Sequence, residues 1–127
     1  MSPEMSTVNE ATLTVRRPEL LGPVLGRVVG MLAARAQCPI DRLDDALLLT
    51  DAVAAHAPSH TANGHVTVHV HAEPAGLSLR IGPLPAQGAD ALVAAATLPG
   101  VGNVFEHVAS DISAEGSELL LRLAFRD

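Results

Sequence analysis

Aromatic side chains are almost missing from this chain of 127 residues, which has two Phe and neither Tyr nor Trp. Its core must therefore be built from Leu, Val, Ile and Ala, and little is left for stacking on nucleic-acid bases. Lysine is absent as well. All eight basic residues are Arg, and they face fourteen acidic ones for a formal charge of −6. With no basic run, nothing supplies the phosphate contacts that nucleic-acid binding needs. Cys38 is the one cysteine. An internal disulfide is thereby excluded, and a reducing compartment fits. No apolar run approaches the roughly 18 residues of a membrane span. The first residues, MSPEMSTVNEAT, have neither the basic nor the apolar region of a secretory signal. These absences set the expectation of a cytoplasmic chain with no membrane and no nucleic-acid partner.

What is present suffices for one core. Hydrophobic residues make up 48% of the chain, and this length suits a single domain. Residues 1–10 are polar and read as a flexible N-terminus, with residues 11–127 as the domain. Residues 11–16 (ATLTVR) alternate and suit a strand with Leu13 and Val15 on one face. Pro18 opens a helix whose apolar stripe is Leu21, Val24, Leu25, Val28, Val29, Leu32 and Ala36. Gly22, Gly26 and Gly30 weaken that helix by roughly 1 kcal/mol each against Ala, which points to close packing or to a partner surface. Residues 65–72 (HVTVHVHA) are the clearest strand, with valines on one face and His65, His69 and His71 on the other. A turn at 74–76 leads to its hairpin partner, residues 77–81. An Ala-rich helix over 89–98, a helix over 104–112 and a strand over 118–125 complete the chain. The predicted class is α+β (α/β in the broad sense): a two-layer sandwich, with a mostly antiparallel sheet covered on one face by three main helices.

Residues 40–57 read as a helix ended by Pro58. Asp41 is its expected N-cap and Asp44 the acid of a capping box. Leu43, Leu47, Thr50 and Ala54, flanked by Ala46, Val53 and Ala57, form the stripe expected to face the sheet. Leu48, Ala52, Ala55 and His56 lie on the other side, and Asp51 points about 100° away from Ala52. His65, His69 and His71 share a strand face on which two neighbours could bind a metal. The row lacks Cys or a carboxylate, so exposed strand histidines are the simpler reading. Cys38 has no identifiable base beside it. Neither G-x-S-x-G nor G-x-x-x-x-G-K-[ST] occurs. Gly100-Val101-Gly102, directly before a helix, is a weak phosphate-binding pattern.

IDRLDDALLLTDAVAAH (residues 40–56) and GVGNVFEHVASDI (residues 100–112), with the order of elements and the spacing between them, resemble one family. It is that of the anti-sigma factor serine kinases of the RsbW and SpoIIAB type, within the GHKL histidine-kinase-like ATPase superfamily. The resemblance covers residues 11–126 and implies a Bergerat fold. In the family the first stretch carries a Glu that acts as general base and, four residues on, an Asn that holds Mg²⁺. The gapless register sets Ala52 and His56 there, with Asp51 only a shifted substitute for the acid. The adenine-binding Asp of a D-x-G motif has no counterpart in residues 81–85 (IGPLP). Gly100 and Gly102, followed by Asn103, remain of the last glycine motif, and Pro99 stands where the family often has Gly.

ATP and Mg²⁺ are the family's cofactors, and the changed residues imply that neither is used. Loss of the base alone typically costs 10²–10⁴-fold, roughly, in rate, and His56 is a poor ligand for a hard ion such as Mg²⁺. The resemblance therefore implies a pseudokinase. Such a chain would regulate transcription by binding a sigma factor or an anti-anti-sigma (STAS) protein, and would commonly form a homodimer. Arg27 lies within one residue of where the family's first helix carries a partner-contacting Arg. Two other readings stay open: an active ATP-dependent serine/threonine kinase with a rearranged site, and a ligand or metal sensor that reuses the old pocket or the histidine row.

Overall fold

The computed structural model of the chain describes residues 9–126, and its first half follows the sequence patterns closely. In chain order it holds β1 (Glu10–Val15), α1 (Pro18–Arg35), α2 (Ile40–His56), β2 (Val66–Glu73) and β3 (Gly76–Gly82). There follow α3 (Gly88–Ala95), β4 (Thr97–Leu98), β5 (Gly102–Asn103), α4 (Val104–Val108), β6 (Asp111–Glu115) and β7 (Glu118–Ala124). Five strands make one antiparallel sheet in the order β1-β2-β3-β7-β6. The strand period of two assigns one face to the core. A single cross-strand row, Ala11–Val70–Leu79–Leu121–Ile112, runs the full width of that face. Helices α1 and α2 pack on each other, and both reach the sheet. Among the described residues no helix is long and apolar enough to cross a membrane.

Pro18 stands in the first turn of α1, where a missing N–H costs nothing. Leu21, Leu25, Val29, Leu32 and Ala33 are its buried residues. Gln37, at φ 61°, turns the chain into the left-handed region, and the Cys38 N–H bonds back to the Ala33 carbonyl. This is a Schellman-type stop without glycine. Pro39 and a second helix follow at once.

Several expectations are corrected. Asp41 does not cap α2: Pro39 occupies the cap position and no side chain caps the helix. The buried face of α2 is Ala46, Leu49, Thr50, Ala52 and Val53, whereas Leu47 is 36% exposed. Ala52 therefore belongs to the inward side, not to the outward one with Leu48. On α1, Val24 faces outward. The Ala-rich helix ends at Ala95, and residues 97–98 form β4. The helix expected to run to residue 112 stops at Val108, and Asp111 and Ile112 begin the edge strand β6. The flexible segment expected over residues 1–10 lies outside the described residues for 1–8. Asn9 is buried and donates from Nδ2 to the Leu32 carbonyl (2.7 Å), and Glu10 begins β1.

Candidate functional site

Three surfaces carry the residues singled out by sequence. The first lies where α2 packs against α4. Ala52 is 7% exposed and belongs to the same apolar cluster as Phe105. A carboxylate at this position would be buried without a partner, at a cost of several kcal/mol in the manner of any isolated charge. Asp51 points to solvent and His56 is half-buried. The His56 carbonyl accepts from His60 Nδ1 at 2.9 Å, which ties the end of the helix to the following turn.

The Gly-X-Gly segment is folded into the small β4–β5 hairpin, which pairs Thr97 with Asn103 and Leu98 with Gly102. Gly100 and Gly102 have φ of 78° and 110°. At Gly102 a Cβ would sit 2.7 Å from His107 Nε2, so only glycine lets the imidazole lie against the backbone. His107 Nε2 donates in turn to the Val101 carbonyl (3.1 Å). Asn103 is buried, and its amide is fully engaged. Nδ2 donates to the Val93 carbonyl (2.6 Å) and to Thr97 Oγ1 (3.0 Å), while Oδ1 accepts the Glu106 N–H (3.2 Å). That last bond caps α4, a helix of five residues. One of the N–H groups at the start of α4 that has no partner within the helix is thus held by the protein's own side chain.

The second surface is the sheet face away from the helices. His69 is held on both ring nitrogens, Nδ1 at 2.6 Å from Thr12 Oγ1 and Nε2 at 2.9 Å from Glu10 Oε1. His65 precedes β2, and both it and His71 are half-buried. Among the described residues no three His, Cys, Asp or Glu side chains are grouped as a metal site requires.

The third surface is the outward side of α1. Arg27 is exposed there, between Leu20 (47% exposed) and Met31 (52%), with Val24 also outward. Positions 20, 24, 27 and 31 lie along one side by the helical repeat. The preceding Arg16 and Arg17 are exposed as well, as is Arg35 at the end of the helix. Sequence reading singled out Arg27 but missed the apolar residues around it, because Val24 fits a continuous stripe with Leu21 and Leu25. No protein-family model matches the chain, and no curated protein matches it either.

Proposed function

We propose that this chain is a non-catalytic regulator of the anti-sigma factor type, built on a degenerate Bergerat fold and acting in the cytoplasm. It works by holding a sigma factor or a STAS anti-anti-sigma protein against the outward side of α1. The observation that carries this reading is the solvent-facing row Leu20, Val24 and Met31 around Arg27, an apolar strip with a cation at its centre. Apolar anchors grouped around an Arg are the composition of protein-binding hot spots. The loss of nucleotide chemistry is supported by the buried Ala52, by the engaged amide of Asn103 and by the imidazole packed at Gly102. The test is calorimetry of the purified chain with the sigma factors and STAS proteins of its own source organism. One of them should bind, and Met31→Asp or Arg27→Glu should weaken that binding by about tenfold or more, or 1.4 kcal/mol. Binding that ignores both substitutions would move the interface off α1. Phosphorylation of a STAS serine by the chain with ATP would make it a kinase.

A further inference from the structure

The outer sheet face divides into a part whose polar groups bond to one another and a part whose groups do not. His69 bonds both Glu10 and Thr12, and Thr14 Oγ1 meets Thr67 Oγ1 at 2.9 Å. Arg80 bonds Glu115 at 2.8 Å and lies 3.6 Å from Glu118. The Glu115 hydrogen bond, with its charge, holds the Arg80 guanidinium above its ordinary pKa. At the other end of the face the register sets His71 beside Ser78, Ser78 beside Arg122, and Arg122 beside Asp111. Directly opposed side chains in antiparallel strands have Cβ atoms about 5 Å apart. Nevertheless Arg122 and Asp111 form no ion pair, and His71, Ser78 and Glu73 make no side-chain hydrogen bond, among the described residues. Ser110 Oγ accepts the Ala124 N–H at 2.8 Å, which leaves its own proton free to donate outward.

These groups surround a cavity of about 120 Å³. Gly76 and Ala124 face each other across β3 and β7 at its base, one with no side chain and the other with a methyl. A water occupies about 30 Å³ of liquid, so the space suits a molecule of a few heavy atoms and not a nucleotide. The lining carries both charge signs: Arg122 on β7, with Asp111 beside it on β6 and Glu73 two strands away on β2, and the Ser78 and Ser110 hydroxyls and the His71 imidazole among them. A simple anion would meet two carboxylates here, and a simple cation would meet a guanidinium. A small zwitterion satisfies both.

We propose that this concavity binds a free α-amino acid with a short side chain. Its carboxylate would take the fork of Arg122, a match of planar geometries, with support from the two serine hydroxyls. Its ammonium would lie against Glu73, the carboxylate that does not stand directly beside Arg122 in the register. The site stands on the face of the sheet away from α1 and α2, so it is independent of the regulatory reading above. Because the cavity is open to solvent, its charge pairs are screened and the affinity falls in the millimolar range, about −4 kcal/mol.

The test is nuclear magnetic resonance of the isotope-labelled full chain titrated with L-alanine, beside separate titrations with acetate, methylamine and inorganic phosphate. Alanine should give saturable shifts at the amides of residues 71–78, 110–111 and 122–124. Acetate and methylamine, each carrying one of the two charges, should bind at least about tenfold more weakly. Arg122→Gln and Glu73→Gln should each lower alanine affinity by about tenfold or more. Both side chains are solvent-exposed and unbonded, so their thermal midpoints should match the parent's. Absence of saturable shifts with alanine overturns the proposal. So does phosphate or acetate binding as well as alanine, which would make the concavity a plain anion patch, and so does an Arg122→Gln chain that binds alanine like the parent.

Discussion

Leu47 and Leu49 stand two positions apart on α2 and have opposite surroundings. Leu49 is 1% exposed and Leu47 36%, as expected of side chains about 200° apart around a helix. Leu49→Ala should therefore destabilise by about 2–5 kcal/mol, as a truncation in a closed core does. Leu47→Ala should cost about 1 kcal/mol or less, since much of that side chain never leaves water. Denaturant melts of the two variants decide it; equal losses would mean the helix is turned by one residue. The sequence does not fix the phase of this helix. Leu47-Leu48-Leu49 places an apolar side chain at three successive steps around the helix, so periodicity alone does not choose which faces in. Cys38 offers a second check at this scale. Burial, and then the charge of Asp41, push its thiol above the ordinary range, with Arg42 opposing. A folded-state pKa above the unfolded one gives a contribution to stability that is complete at neutral pH and is lost as pH rises through the folded value. Alkylation by iodoacetamide followed against pH should thus show a midpoint more alkaline than that of the denatured chain. A midpoint equal to or below the denatured one would contradict the burial.

Among the elements, α1 and the β2–β3 hairpin were legible because each has one unambiguous period and a clear stop: Pro18 at one end of α1, and the turn before Gly76 in the hairpin. β6 was not. Residues 104–112 carry Val104, Phe105, Val108 and Ile112 at helical spacing, which reads locally as one helix. Long-range bonds override this: the Ser110 N–H reaches the Arg122 carbonyl at 2.7 Å, and Ser110 Oγ takes the Ala124 N–H at 2.8 Å. Such pairing depends on β7, which a local window cannot see. The surroundings of the three glycines of α1 separate close packing from an open surface. A Cβ on Gly22 would rest 3.5 Å from Ala54 Cβ, whereas at Gly26 and Gly30 it would meet nothing within 4 Å. Neither Gly26 nor Gly30 has a positive φ, so nothing inside the protein requires glycine there. Gly26→Ala and Gly30→Ala should each stabilise by about 0.4–1 kcal/mol through a less free unfolded chain and a better helix former. If α1 is the docking side, the double variant should melt later and bind its partner less well. A loss of stability in the melts would mean that the backbone at these two positions is under a constraint the packing does not reveal.

For the whole molecule, the class was legible and the strand order was not. Alternating strands and amphipathic helices indicated an antiparallel sheet with helices on one face, but only the fold places β7 between β3 and the edge strand β6. The candidate site divides the same way. Ala52 and His56 were visible in the sequence, while the use of Asn103 and His107 as internal fasteners was not, because their partners are the Val93 carbonyl at the end of α3 and Thr97 and Val101 of a hairpin with no local signature. Those fasteners bear on the last prediction, that ATP with Mg²⁺ leaves the thermal stability of the chain unchanged. A phosphate at the start of α4 would have to displace the Asn103 Oδ1 cap and compete with the His107 contact to the Val101 carbonyl. Freeing the buried Asn103 amide leaves polar groups unpaired, at about 1–3 kcal/mol for each group. No lysine is present to offset the triphosphate charge on a chain of formal charge −6. The measurement is sensitive to even modest binding: a ligand at 100 times its Kd adds about 2.7 kcal/mol of stability. For a domain of this size that moves Tm by several degrees. A flat melting temperature across a titration of ATP and Mg²⁺ is the expected result. A rise of several degrees would show that the hairpin opens to admit nucleotide, and the chain would then have to be treated as an ATP-dependent protein.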